Sequence, residues 1–362
     1  MSKPLRVIHG GTGVAGSAAL YAIIEQDGLE LAALLVNSEK NEGLDAGSFA
    51  RLPDCGIKSS RDIDSLVKMD ADVVLYMLLI PNVDHICAFL ESGKNVVTTA
   101  GFFFPYFNNK DIARRLQEAC EKGGTSFYST GLNPGVVDEI LPLIMSRLCM
   151  NWKTVYTAEY AWLGSYPSQA MLVDMMGFGK TLEELENGGA KDMPLMTELF
   201  SGSCAGLGHE LGVEIDEVRE ERSFVMAPRD IHVKMGTVKE GTMAGQRWRW
   251  TGYSKGEPRV IQETFWIIDY DLGEGYPAKG SMEGSKWVVE IEGQPSVRTQ
   301  LEIARSWADP NKKGIPASGA ATGMAAVNSL ADVVAAKPGL LLASDLPQPK
   351  MRISKYGVGD KS

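Results

Sequence analysis

"VIHGGTGVAGSAAL", residues Val7 to Leu20, runs from a short apolar pattern through glycines into helical spacing. Gly11, Gly13 and Gly16 within it make G-x-G-x-x-G. In such a turn the first glycine permits the tight reversal and the second lets a pyrophosphate approach the backbone. The third lets the helix pack closely on the strand. The free N–H groups at the start of the helix then face an anion. Glycines end many strands, so a plain strand-to-helix turn is the competing reading. The strand–turn–helix context favours a dinucleotide site made by Gly11, Thr12, Gly13, Val14 and Gly16.

Outward from this stretch, short apolar runs alternate with helical patterns. "LRVIHG", "LELAALLV", "ADVVLYML", "NVVTTA" and "TSFYST" read as buried strands, and helices are expected from Asn82 to Glu91 and from Asn109 to Lys122. Connections this short require a parallel sheet covered on both faces, an α/β Rossmann domain over 1–150. After about Met150 the pattern changes. "TVYTAEYAWL" alternates, a helical stretch covers roughly Ser168 to His209, and four strand-like runs follow between turn formers. This predicts an α+β domain with an open, mostly antiparallel sheet over 151–315, serving substrate binding and dimerisation. "ATGMAAVNSLADVVAAKPGL" predicts one closing helix ended by Pro338 and Gly339, within a segment, 316–347, that returns to the first domain. The tail beyond Pro347 is polar and expected to be loose.

The 362 residues carry a formal net charge of −10, which disfavours nucleic acid and anionic lipid as partners. Five cysteines, never in C-x-x-C, and four scattered histidines argue against a disulfide framework and against a metal site. "MSKPLRVIHGG" enters a strand pattern without an apolar leader, and "VVLYMLLI" is too short to span a bilayer. A cytoplasmic protein with no membrane association is expected.

The second strand bears on the cofactor. An acid at its tip would grip the ribose of NAD. Here it ends "LLVNSEK", with Asn37 and Ser38 at the tip, Lys40 beyond, and Glu39 between them, which opposes a 2′-phosphate unless it points to solvent. A hydroxyl and a cation suit a 2′-phosphate, so NADP (NADPH) is expected, with NAD possible; an ordinary solvated loop remains the alternative.

Several stretches together carry a resemblance. "GGTGVAGSAAL", "NVVTTAGF", "STGLNPGVVDEILPLIMSRL", "MMGFGKTLEEL" and "ATGMAAVNSLADVVAAKPGLLLASDLP" come in the order of the dihydrodipicolinate reductase-like family. The chain resembles most the branch of 2,4-diaminopentanoate dehydrogenase and the native amine dehydrogenases. The His-His-x-x-Lys signature of dihydrodipicolinate reductase itself is absent. The resemblance implies a homodimer through the open sheet and hydride transfer from NAD(P)H to a C=N or C=O carbon. It implies that the nicotinamide lies near Ala100 and Gly101 and the "GLNPG" loop with Asn133 and Pro134. Substrate would lie against that loop, the aromatic loop and the second domain.

In the amine dehydrogenase branch the loop after "VVTT-G" supplies a glutamate that handles the amine. This chain has Phe102, Phe103 and Phe104 there, with no carboxylate before Asp111. An iminium needs a negative partner, because burying its charge unpaired is costly. Three phenylalanines favour a neutral, apolar substrate; alternatively they only pack between the domains.

Carbonyl reduction also needs a proton donor. The candidates are Tyr160 and Tyr166, whose counterparts in the amine dehydrogenases line the substrate pocket, then Tyr106 on the aromatic loop, then His232. Tyr106, Tyr160 and Tyr166 are also expected to line the substrate site. Asp138 reads as a helix-start carboxylate complementing the dipole. The expected activity is NADPH-dependent hydride transfer to a neutral, apolar carbonyl or conjugated small molecule. The alternatives are an amine dehydrogenase or imine reductase with a relocated acid, and a non-catalytic dinucleotide sensor.

Overall fold

The computed structural model describes residues 3–166, 169–187, 194–277, 285–309 and 312–347. The expected helix start at Ser168 and the polar tail after Pro347 lie outside them. In chain order the strands are β1 (Leu5–Gly10), β2 (Leu29–Leu35), β3 (Ser59–Ser60), β4 (Val73–Tyr76), β5 (Asn95–Thr98), β6 (Ser126–Ser129), β7 (Asn151–Trp162) and β8 (Glu217–Met226). They continue with β9 (Ile231–Val233), β10 (Gly236–Val238), β11 (Met243–Ser254), β12 (Glu257–Ile267), β13 (Lys286–Gln294), β14 (Val297–Glu302) and β15 (Gly339–Leu341). Two compact units form: Met1–Val136 with Ala304–Ser362, and Val137–Ile303.

The first unit is a parallel seven-stranded sheet in the order β15-β6-β5-β4-β1-β2-β3. Its strands are apolar on both sides because both faces are covered. Val7, Leu75 and Val97 pack on one side with the helices Val14–Glu25 and Ala317–Ala335. Ile8, Val74, Val96 and Phe127 pack on the other with Val83–Glu91 and Lys110–Gly123. Asn82 and Asn109 begin those two helices by accepting from the N–H groups of His85 and Ile112. The closing helix lies tight on the first helix: a Cβ at Gly323 would stand 2.8 Å from the Ala15 carbonyl oxygen.

The second unit is a six-stranded sheet in the order β14-β13-β7-β12-β11-β8, parallel only between β7 and β12. The 17-residue helix Pro194–Glu210 covers one face, stacking Phe200 on Trp250 with ring centroids 4.2 Å apart. The alternation of β11 and β12 divides their aromatic residues between two faces. Trp248, Trp250, Phe265 and Trp266 do not share a surface: Trp248, Trp250 and Trp266 lie in the core on the helix-covered face. Phe265 is one residue out of phase with Trp266 and faces the opposite side, beneath Arg247. Register places Tyr156, Tyr160, Glu263 and Lys286 on that same open face. Among the described residues, no helix is long and apolar enough to cross a membrane.

Candidate functional site

The glycine turn is shaped by the backbone. Gly11 sits at φ +110°, and a Cβ there would fall 2.4 Å from the Met77 carbonyl oxygen. A Cβ at Gly16 would lie 2.4 Å from the carbonyl oxygen of Gly11. Gly13 differs, because a Cβ there would meet nothing within 4 Å. Nothing in the chain itself forbids a side chain at Gly13; the open space is what a closely approaching ligand requires. Gly13 also precedes the helix Val14–Glu25 with no side-chain cap and no acid in the first turn, so its leading N–H groups face outward uncancelled. These residues fit the pyrophosphate of a dinucleotide.

Beside this turn, at the C-terminal end of β4, a cleft of about 440 Å³ is lined by Asn37, Tyr76, Ile80, Pro81, Asn82, Val83 and His85. Open α/β sheets bind ligands at such strand ends. Asn37 is exposed at the edge of this cleft. Ser38, half-buried, starts the short turn Glu39–Asn41, and Lys40 is exposed on it.

The aromatic loop divides between two roles. Phe102 has φ +63°, which costs a bulky residue about 1 kcal/mol or more. Its ring is turned into the core, 6.4 Å from that of Phe127. Phe102 therefore packs within the core of the first unit. The Ser129 hydroxyl reaches the carbonyl oxygens of Gly101 and Phe102 and fixes the loop, while the Thr98 hydroxyl donates to Tyr76 and accepts from the N–H of Ala100. Phe103 is buried, Phe104 half-buried, and Phe104 meets the exposed Tyr106 edge-on at 5.5 Å. Partial burial raises the Tyr106 pKa. In the "GLNPG" loop, Gly135 has φ +126°, and a Cβ at Gly131 would meet the Pro134 carbonyl oxygen at 2.8 Å, so Asn133 and Pro134 are held by a turn closed on itself.

In the second unit Tyr160 stacks on Phe265 at 4.7 Å, with the Lys286 ammonium 5.3 Å from its ring centroid. Burial, above all, raises its pKa. Tyr166 is half-buried against the apolar core of this unit. His232 is exposed on the β9–β10 hairpin, its Nδ1 2.9 Å from the Thr237 hydroxyl. The structure brings Tyr160 together with groups that the sequence did not single out. The Tyr156 hydroxyl donates to Glu263 at 2.6 Å, and the buried Glu263 also holds Arg247. On the helix-covered face Glu159 accepts from the indole N–H groups of Trp266 and Trp287 at 2.8 and 3.0 Å. Asp138 is not an exposed helix-start charge: it is buried, accepts from Thr157, and burial pushes its pKa up to about 7. Burial likewise raises the neighbouring Glu139 well above the usual carboxylate range. Among the described residues, no group of three His, Cys, Asp or Glu side chains could hold a metal ion.

Residues 136–357 match the family described as 2,4-diaminopentanoate dehydrogenase C-terminal domain. The chain is 26% identical to an amine dehydrogenase of Streptomyces virginiae over 93% of its own length and 94% of the relative's. It is 22% identical to 2,4-diaminopentanoate dehydrogenase of Acetoanaerobium sticklandii over 96% of this chain and 95% of that one. Among solved structures, an amine dehydrogenase from Mycobacterium smegmatis superposes with a TM-score of 0.76 at 17% identity, covering 96% of this chain and 97% of that one, which is a likeness of fold.

Proposed function

The chain belongs to the family of the 2,4-diaminopentanoate dehydrogenase C-terminal domain, and from that premise we propose that it is an NADPH-dependent oxidoreductase transferring hydride to a neutral, apolar carbonyl or conjugated small molecule. Dinucleotide-dependent oxidoreductase chemistry comes with the relatives; cofactor choice and substrate class are read from this chain's own residues. The observation that carries the substrate class is the loop from Thr98 to Lys110, which holds four phenylalanines and no carboxylate. A cationic iminium would find no partner there, whereas a neutral apolar carbonyl loses little on entering. NADPH is supported by Asn37 and Ser38, rather than an acid, at the tip of the second strand and by Lys40 beyond, with the exposed Glu39 of the same turn directed to solvent in this reading.

The bound nicotinamide supplies a hydride. The chain's residues do the rest. The N–H groups of Thr12 and Gly13 hold the phosphates, and Asn37 and Ser38 hold the adenosine ribose. Ala100, Gly101, Asn133 and Pro134 frame the nicotinamide, while Phe103 and Phe104, on a loop anchored by Phe102, keep water from the substrate. As hydride reaches carbon, the carbonyl oxygen takes a proton. Tyr160 and Tyr166 are the proposed donors, ahead of Tyr106 and His232. A phenol is protonated at neutral pH, the form that can donate, while the burial that raises the Tyr160 pKa makes it a weaker acid. The sheet of the second unit, through its strands from about Gly241 to Ala304, is proposed to meet a second copy; a monomer in sedimentation at micromolar concentration would contradict that.

A panel of bulky apolar ketones and enones, assayed with NADPH and with NADH, tests the reading. Turnover with NADPH preferred is expected; turnover of none, or equal use of both cofactors, overturns it. The amine dehydrogenase and 2,4-diaminopentanoate dehydrogenase relatives favour a second reading, an amine dehydrogenase or imine reductase with its acid elsewhere in the chain.

A further inference from the structure

His9 is a polar residue in an otherwise apolar strand. It lies in the middle of the parallel sheet, between Leu34 and Leu75, and is fully buried. Its Nε2 stands 2.7 Å from the carbonyl oxygen of Gly11, two residues on. A carbonyl only accepts, so Nε2 carries the hydrogen. The ring is neutral, because burial lowers its pKa to about 4. The Gly11 carbonyl is thus wedged between an imidazole donor and the backbone of Gly16, where even a Cβ would not fit.

A second carbonyl in the same turn is held in the same way. The hydroxyl of Ser17, on the first turn of the helix, donates to the Thr12 carbonyl oxygen at 3.1 Å. The peptide bonds of this turn are trans, the cis bonds among the described residues being Asn133–Pro134 and Gln294–Pro295. In a trans peptide the N–H points opposite to the C=O of the same unit. Fixing the Gly11 carbonyl therefore fixes the Thr12 N–H, and fixing the Thr12 carbonyl fixes the Gly13 N–H. Neither of these amides has an acceptor among the described residues. Gly13 is exposed, with open space where its side chain would be. Two consecutive donors held this way form an anion-binding concavity.

We propose that His9 and Ser17 are positioning residues for the dinucleotide: each pins one carbonyl of the glycine turn, and together they aim the Thr12 and Gly13 N–H groups at the pyrophosphate. The inference rests on the dinucleotide reading above. It adds two side chains that never touch the cofactor, and it makes a distinctive forecast. The pyrophosphate is common to NADPH and NADH, so losing a pin weakens both by the same factor and leaves the preference between them unchanged.

The test is fluorescence titration of the full chain with NADPH and with NADH, corrected for the folded fraction by a thermal melt. His9→Leu, which fills the volume but cannot donate, should weaken both cofactors by about tenfold, the range of one hydrogen bond. His9→Gln keeps a donor and should stay within about threefold of the parent, a rescue that mere packing does not give. Ser17→Ala, a change that favours helix, should melt like the parent and still weaken both cofactors equally. If His9→Leu does not fold, the Gln and Ala variants decide alone: parental affinity in His9→Gln with an equal loss for both cofactors in Ser17→Ala supports the pins. Parental affinity in His9→Leu or in Ser17→Ala, or a loss confined to NADPH, overturns them. If the parent itself binds neither dinucleotide, the functional reading falls first; if it binds while the Leu or Ala variants are indistinguishable from it, only the pins fall.

Discussion

The two units use their buried polar side chains differently. In the first, those side chains answer to the backbone: His9 to the Gly11 carbonyl, Thr98 to Tyr76, Thr125 to Leu90, and Ser129 to Gly101 and Phe102. In the second, Gln246 and Ser201 also reach backbone carbonyls, but many answer to one another: Glu159 to two tryptophans, Glu263 to Tyr156 and Arg247, Asp138 to Thr157, and Gln262 to Ser203. A side chain bound to a carbonyl shapes a loop, which is what a preformed cofactor site needs. Side chains bound to each other tie strands in register and make the sheet sensitive to single substitutions and to titration.

Breaking the packed face of the second unit should give the largest effect. Trp250→Ala removes a ring stacked on Phe200 and should cost about 3–5 kcal/mol, lowering the melting temperature by on the order of 10 °C. Dinucleotide affinity per folded molecule should stay unchanged. Loss of affinity at constant stability would show that the division of labour is wrong.

Titration sharpens the same contrast, with opposite signs. The Asp138 carboxyl is raised from 3.8 to about 7, so between those values the folded chain binds more protons than the unfolded one. Its contribution is present below 3.8 and is lost as pH climbs to 7. His9 is lowered from 6.5 to about 4, so its contribution is present above 6.5 and is lost as pH falls. Relative to the parent, Asp138→Asn should therefore gain stability from pH 4 towards pH 7, and His9→Gln should gain it from pH 6.5 down to 4. Denaturant unfolding over that range checks both; variant and parent curves running parallel would remove the assignment.

Smaller effects are expected at the edges of the site. Phe104→Ala should raise KM for bulky apolar ketones by the equivalent of about 1–3 kcal/mol and barely alter NADPH affinity. Unchanged kcat/KM with a lower melting temperature would mean that Phe104, like Phe102, only packs. Lys40→Ala should weaken NADPH about tenfold and leave NADH nearly unchanged, as loss of one charged contact to a phosphate requires. Equal losses would show that Lys40 does not read the 2′-phosphate.

The same contrast explains what could be read from the sequence. The glycine turn was legible because its demands are local: Gly11 and Gly16 are forced by backbone crowding within a few residues. The parallel sheet followed from short apolar runs and short connections. The opposite faces of Phe265 and Trp266 follow from strand alternation, since they are adjacent in β12. Tyr156 and Glu263 could not be paired beforehand, because they are 107 positions apart and meet only through the register of β7 and β12. Asp138 had the local pattern of a helix start, and the strand that buries it comes later in the chain. His9 left no signal, because one histidine in an apolar strand has the same period as the residue it replaces.

Ammonia dependence tests the functional account most directly. Phe103→Glu would return a carboxylate to the aromatic loop; the same change at Phe102 and Phe104 covers the register of the three rings. The measurement is product analysis after NADPH oxidation on a bulky apolar ketone, in ammonia-free buffer and in saturating ammonium, for the parent chain and these variants. The account predicts alcohol as the parent's product, at a rate that ammonium does not change, and folded but inactive glutamate variants. Amine formed by the parent only when ammonium is present would contradict it, and would place the missing acid elsewhere in the chain.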